Sequence, residues 1–246
     1  MFSTESITKS RLSVWIRTAA VIAVAASFGV VTKVSASPAA QVIVPGVGLD
    51  TLINGGSIQV GDKIFSDFSI AGFDAAGITV IGIQENGSFG LRLQGGFAAF
   101  GNQIKDIVIN FSAAVAPESS ELISGVKLDF NGAVLVGQGS ASVTETAVDA
   151  GNNQLLVPAL FVVNPPPVLS ASADLTSPQQ KIFVSKEIVL TAGGETPANK
   201  RLAVDALNAV TISQIDQLFP QIPEPGTVVL VAAGLLGVAM TGRRRK

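Results

Sequence analysis

Apolar and polar positions alternate through the middle of the chain. In residues 88–94 a phenylalanine and two leucines fall on one face and polar or small residues on the other, which indicates a half-buried strand. The preceding apolar run, residues 78–84, is joined to it through Glu85-Asn86-Gly87. Asn-Gly favours the positive φ of a tight turn. These two runs therefore predict a β-hairpin.

A second segment follows the same logic. Residues 126–130 alternate apolar side chains with Lys127 and Asp129, which we expect to face water. Asn131-Gly132 follows at once, and a short apolar run, 133–136, comes next. The sequence predicts a second hairpin that turns at Asn131-Gly132.

Further strands are predicted by runs of β-forming residues between glycine, proline and asparagine turns. They are residues 57–60 and 63–70 around Gly61-Asp62, and then 104–111, 140–147, 154–163, 169–174 and 181–191. Pro165-Pro166-Pro167 cannot donate to a ladder and marks a crossing or an edge between sheets. Residues 201–219 favour a short helix followed by an extended strand. Together, these predicted strands and turns indicate an all-β domain at residues 37–222, an antiparallel sandwich of about ten strands.

The N-terminal segment, residues 1–36, has the three parts of a signal peptide. Three basic residues come first, an uncharged run at 18–32 follows, and small side chains stand at Val34 and Ala36. Signal peptidase requires small residues one and three positions before the cut, so we expect cleavage after Ala36. The alternative is a retained N-terminal anchor, for which the uncharged run is short.

The C-terminal segment, residues 223–246, begins with Pro223, Glu224 and Pro225. The uncharged stretch that follows, through Gly242, would be about 27 Å long as a helix, and residues 226–242 are the predicted membrane span. A basic cluster closes the chain: Arg243, Arg244, Arg245 and Lys246. By the positive-inside rule this cluster is a cytoplasmic stop. It places residues 37–222, which we call the body, outside the cytoplasm.

A Pro-Glu-Pro motif, a short apolar helix with glycines and a terminal arginine run together resemble the PEP-CTERM sorting signal of exported proteins from Gram-negative bacteria that make extracellular polysaccharide. The resemblance covers residues 222–246. It implies that an exosortase, a membrane transpeptidase-like protein, recognises Pro223, Glu224 and Pro225 and removes the helix. A precursor anchored in the inner membrane would then yield a cell-surface or matrix protein. A plain tail anchor is the alternative.

Composition narrows the chemistry of the body. Cys, His and Tyr are absent from the whole chain, and Trp15 and the two methionines lie outside residues 37–222. Catalysis by imidazole or thiol, zinc or copper sites built on imidazole and thiolate, and disulfides are thereby excluded. The body carries eight basic and sixteen acidic residues, a net charge of −8, so no nucleic-acid partner is expected.

Composition does not exclude catalysis or calcium binding by carboxylate, hydroxyl and amide side chains, although no residue is assigned to either role. The acid pairs Glu118 with Glu121 and Asp62 with Asp67 could be proposed for glycan hydrolysis, but nothing around them marks a buried site. Ser185 and Lys186 are neighbours on a strand and therefore point to opposite faces. Residues 149–153 offer calcium ligands but lack EF-hand spacing, and a simple turn is the preferred interpretation.

Phenylalanines are the only aromatic residues of the body, and we expect most of them in the core rather than in a binding groove. The eleven are Phe65, Phe68, Phe73, Phe89, Phe97, Phe100, Phe111, Phe130, Phe161, Phe183 and Phe219.

The leading hypothesis is a non-enzymatic exported protein without a cofactor that serves the envelope or the polysaccharide matrix. Signal peptidase and exosortase are its expected partners, and extracellular polysaccharide is a candidate partner. A carbohydrate-binding module is the second hypothesis, and a carboxylate-based glycan hydrolase or lyase is the third.

Overall fold

The computed structural model of the chain describes residues 40–193, 208–224 and 226. Within these residues thirteen strands form two antiparallel sheets, and one hydrophobic core contains side chains from both. The all-β, two-sheet prediction is therefore confirmed. The predicted signal peptide, residues 227–242 of the predicted membrane span and the basic cluster, together with Pro225, lie outside the described residues. In the part of the chain that is described, no helix has the length and apolar character needed to cross a membrane.

Sheet A contains seven strands. Their spatial order is β1 (Gln41–Gly48), β4 (Ile78–Glu85), β5 (Ser88–Phe100), β12 (Ala209–Phe219), β7 (Glu121–Val136) and β10 (Ser170–Gln179), and the short β13 (Gln221–Pro223) also pairs with β7.

Sheet B contains six strands. Their spatial order is β2 (Ile58–Val60), β3 (Lys63–Ala71), β6 (Ile104–Val115), β11 (Lys181–Ala192), β8 (Gly139–Val148) and β9 (Leu160–Asn164). One helical turn, α1 (Leu49–Ile53), follows β1, and a 3₁₀ turn (Ala75–Gly77) precedes β4.

The first predicted hairpin is confirmed. β4 and β5 pair from Ile78 opposite Gly95 up to Glu85 opposite Ser88. Asn86 and Gly87 form the turn with φ values of 51° and 82°. Positive φ at both central residues suits the right-handed twist of the two strands.

The second predicted hairpin is wrong, because Glu121–Val136 is one continuous strand with Asn131 and Gly132 inside it. Strand β12 runs beside it, and its register with β7 shifts at this point, so that two residues of β12 oppose one of β7. This is a β-bulge. The Asn131 side-chain oxygen accepts hydrogen bonds from the backbone N–H and the hydroxyl of Ser213 in the bulge. A partner strand distant in sequence thus satisfies the asparagine that sequence alone assigned to a turn.

Three other predictions concern strand ends. Pro165-Pro166-Pro167 lies between β9 and β10, at the crossing from an edge of sheet B to an edge of sheet A, as expected. The predicted strand 154–163 is shorter, since the strand itself covers only Leu160–Asn164. For residues 201–219, the strand is confirmed as β12, and residues 201–207, where the helix was predicted, lie outside the described residues.

Phenylalanine rings join the two sheets. Phe219 of sheet A packs against Phe65 and Phe111 of sheet B, with ring centroids 5.5 and 6.3 Å apart. All three side chains are buried. Three phenylalanines are exceptions to the core prediction: Phe100 and Phe161 have 56% and 50% of their surface exposed, and the half-buried Phe183 lies on the outer face of sheet B.

Candidate functional site

The predicted sorting motif begins inside the folded body. β13 continues the line of β12 after Pro220, and Pro223 lies opposite Glu121 at the start of β7. The Pro220 carbonyl accepts a hydrogen bond of 2.9 Å from the Ser124 N–H. Proline cannot donate to a ladder but can occupy its end, so the strand stops where the motif starts.

Glu224 fixes the point at which the chain leaves the sheet. Its N–H donates to the Ser120 carbonyl at 2.7 Å, and its carboxylate accepts a hydrogen bond from the Gln180 side-chain amide at 2.9 Å. Glu224 is only half-buried, whereas Ile222 and Pro223 are exposed. The first two residues of the motif are therefore positioned by the body and remain accessible at its surface.

A buried lysine anchors β13 from the opposite sheet. The Lys63 ammonium, on β3, donates hydrogen bonds to the side-chain oxygen of Gln221 and, at 2.7 Å, to Asp62. The second oxygen of Asp62 accepts a hydrogen bond of 2.9 Å from the Ser119 hydroxyl. Lys63 itself is fully buried, whereas Asp62 and Gln221 are partly exposed. These contacts connect the last strand to sheet B two residues before the motif.

The outer face of sheet B carries an open groove of about 360 Å³. Asn110, Ser185 and Thr146 lie side by side across β6, β11 and β8, and the ring of Phe183 lies next to them. Asn152 and Gln154 close one end from the loop after β8. Hydroxyl and amide groups in this row can donate and accept hydrogen bonds, and the ring offers an apolar surface.

Asp67 lies at the side of the groove, in a bulge of β3 where its φ is 57°. Its carboxylate accepts hydrogen bonds from the Ser112 hydroxyl at 2.7 Å and from the Lys181 ammonium at 3.1 Å. These hydrogen bonds hold the pKa of Asp67 below its usual value. Asp67 is the only acid among the described residues that line the groove.

The other acids named from the sequence occupy structural positions. Asp62 is bound to Lys63 and Ser119 as described above, Glu118 is exposed in the loop before β7, and Glu121 begins that strand. Asp149 accepts hydrogen bonds from the backbone N–H groups of Gly151 and Asn153, at 2.8 and 2.9 Å, which makes the loop 149–153 a side-chain-capped turn. The Asn153 side-chain amide also donates to this carboxylate, and its hydrogen bond, together with the two backbone bonds, lowers the pKa of Asp149. Across the described ranges no three potential metal ligands cluster.

Lys127 and Asp129 lie on the outer face of sheet A, as the alternation predicts, but they are only partly exposed. Their charged groups are 2.9 Å apart, and the Lys127 ammonium also donates to both oxygens of Glu85 at 3.0 Å. Arg92 and Asp216 form a two-bond ion pair on the same face, with both distances 2.7 Å. Hydrogen bonding to Asp216 raises the pKa of Arg92. This face is covered by paired charges.

Sequence reasoning missed one polar cluster entirely. Lys186, Glu145 and Gln217 are all fully buried between the sheets. Ser185, the neighbour of Lys186, faces the outer groove, so the two side chains do point to opposite faces as expected. The strict alternation around Lys186 and Glu145 was the available signal, because both occupy positions that otherwise hold core residues.

Comparisons with known proteins concern mainly the tail. No curated protein compared with the chain matches it. Among solved structures, that of the carbohydrate-binding module TmCBM61 in complex with β-1,4-galactotriose covers 63% of this chain and 90% of its own, at 8% identity and a TM-score of 0.30. A TM-score this low carries no argument about the body.

The family model for the PEP-CTERM protein-sorting motif matches residues 221–246. The match begins at the first residue of β13 and includes the Pro-Glu-Pro motif. Such a motif indicates an exported protein that is processed at its C-terminal end. The chain is therefore a carrier of the PEP-CTERM protein-sorting motif, and its body is assigned to no family.

Proposed function

We propose that the chain is an exosortase substrate whose β-sandwich is delivered to the cell surface or the extracellular matrix of a polysaccharide-producing bacterium, where it has a structural or binding role without catalysis. The observation that carries the proposal is the continuity between β13 and the sorting motif. Residues 221–246 match the motif, and Gln221–Pro223 form the last strand of the body. Cleavage at or after Pro223 would leave the sandwich almost intact.

Mass spectrometry of the mature protein from a native host tests this proposal. We expect an N-terminus near Ser37 and a C-terminus between Pro223 and Gly226. Replacing Pro223, Glu224 and Pro225 with alanine should leave the tail uncleaved, whereas Glu118→Ala, at an exposed loop position nearby, should be processed normally. Recovery of the intact basic tail in the mature surface pool would contradict the proposal.

Glycan binding by the body is a second candidate, and the outer groove of sheet B favours it. The row of hydroxyl and amide side chains beside Phe183 offers the donors and acceptors that a sugar requires together with an apolar surface. A hydrolytic role draws less support from this groove, because two acids are needed and Asp67 is the only one lining it within the described residues.

Binding to the host's own polysaccharide tests the second candidate. Thr146→Val and Ser185→Ala remove two hydroxyl groups from the groove and should weaken binding at least tenfold. Thr79→Val, on the exposed outer side of sheet A, is the matched control and should bind as the wild type does. Equal binding by all variants would assign the glycan to another surface.

A further inference from the structure

Three polar side chains meet in the dry space between the sheets. Lys186 projects from β11 and Glu145 from β8, directly opposite each other in the ladder of sheet B. Gln217 reaches them from β12 of sheet A. All three are fully buried, and we call them the buried triad.

The contacts within the buried triad converge on one nitrogen. The Lys186 Nζ donates hydrogen bonds to Glu145 Oε2 and to Gln217 Oε1. The Gln217 Nε2 group is directed toward the Lys127 carbonyl, 3.4 Å away. An amine, a carboxamide and a carboxyl group are thus in mutual contact and shielded from water.

A simple ion pair accounts poorly for this arrangement. Glu145 Oε1 is buried without a hydrogen-bond partner in the described structure, which is costly for a carboxylate in an apolar interior. Burial raises the pKa of Glu145 and lowers the pKa of Lys186, and each of these effects exceeds the attraction between the two groups. Both directions favour a neutral acid beside a neutral amine, and a neutral amine is a nucleophile.

We propose that Lys186 and Gln217 become joined by an amide bond between Nζ and Cδ, with Glu145 as the acid and base of the reaction. The lysine lone pair attacks the carboxamide carbon while Glu145 gives its proton to the carboxamide oxygen. Glu145 then takes a proton from the attacking nitrogen and passes it to the departing one. The Cδ–Nε2 bond breaks, ammonia leaves, and the carboxyl group regains its proton from the oxygen. No oxidant or second reactant is required.

The amide bond would link interior strands of the two sheets. β11 and β12 are interior strands of sheet B and sheet A; residue 186 lies in the middle of β11, and residue 217 is the third residue from the end of β12. The chain has no cysteine, so it cannot form a disulfide outside the cell. A lysine–glutamine amide would supply a covalent link there that reducing agents do not break.

The Lys63, Gln221 and Asp62 cluster provides an internal comparison. It also brings a lysine, a glutamine and an acid together. However, the Asp62 side chain is partly exposed, and both of its oxygens have hydrogen-bond partners. It lacks the dry, unsatisfied carboxyl group on which the proposed reaction depends, so we expect Lys63 and Gln221 to stay unlinked.

Peptide mapping of the purified full-length chain tests the inference. Trypsin normally cleaves after Lys186, but a lysine that carries an amide resists it. We expect the peptide 182–200 to be recovered joined to the peptide that begins at residue 202, with a combined mass lower by one ammonia. Fragmentation should locate the bond between Lys186 and Gln217. Quantitative recovery of the free peptide 182–186 from folded protein would overturn the proposal.

Matched variants separate the chemistry from folding. Glu145→Gln keeps the shape of the side chain and should slow linkage by about 100-fold or more, since the acid and base are lost. Lys186→Met should abolish linkage, and Lys63→Met should leave it unchanged, with circular dichroism to verify that each variant is folded. Undiminished linkage in Glu145→Gln would refute the role of Glu145. Loss of water with a bond to Glu145 would refute the assignment to Gln217.

Discussion

Phe219 carries much of the packing between the sheets, and its truncation should therefore be costly. The ring is fully buried and packs against Phe65 and Phe111, 5.5 and 6.3 Å away on the opposite sheet. Replacing a buried phenylalanine with alanine removes its burial free energy and leaves a cavity, together about 3–5 kcal/mol. This loss is a large share of the total stability of a domain, which is about 5–15 kcal/mol. In a domain of this size each kcal/mol lowers the Tm by about 2–4 °C, so Phe219→Ala should lower it by about 6–20 °C.

Thermal unfolding followed by circular dichroism measures this effect. Phe161→Ala is the control, because half of that side chain is already exposed and its loss should cost about 1 kcal/mol. The expected result is a much larger fall in Tm for Phe219→Ala than for Phe161→Ala. Equal shifts in the two variants would refute the packing of the two sheets around Phe219.

Three further predictions concern the backbone, pH and processing. In Gly90→Ala the new Cβ would lie 1.8 Å from a backbone oxygen of β12, so unfolding assays should show that the free energy of unfolding falls by about 1–3 kcal/mol. In the control Gly96→Ala the new Cβ meets nothing within 4 Å, so this variant should be neutral or slightly stabilising. The depressed pKa of Asp67 means that the unfolded chain binds this proton more tightly, so its stabilising contribution is complete above about pH 4 and is lost as the pH falls below that value. Asp67→Asn should consequently show a weaker fall of Tm between about pH 4 and pH 2, and an unchanged acid profile would contradict this assignment. Lys63→Met removes the anchor of Gln221, so β13 should open more often and pulse-chase labelling should show faster loss of the tail; unchanged or slower processing would contradict the anchoring role.

Local alternation predicted most of the strands because each half-buried strand shows its period in its own sequence. The turn at Asn86-Gly87 was predictable for the same reason, since nothing distant competes with it. Asn131-Gly132 offered the same local signal and failed. Its strand is paired with β12, which lies far along the chain, and the Ser213 bulge supplies the hydrogen bonds that a turn would otherwise need.

The candidate sites were predictable only where a sequence motif marks them. Pro223 and Glu224 were identified from their pattern, but their attachment to Ser120 and Gln180 depends on tertiary pairing. The buried triad gave no motif, because its members come from three strands in two sheets and each looks like a surface residue by type. The anchoring role of Lys63 was not predictable either, because its contact with Gln221 joins residues that are far apart in the sequence.

The order of strands has a consequence for how the chain reaches its native state. β11 and β12, which come near the end of the body, are interior strands of the two sheets. Without them, sheet A separates into β1-β4-β5 and β7-β10, and sheet B into β2-β3-β6 and β8-β9. A polypeptide that crosses an export channel from its N-terminus thus emerges as four incomplete strand groups. Neither sheet is complete until β11 and β12 have followed, so the long-range pairing that joins these groups forms late.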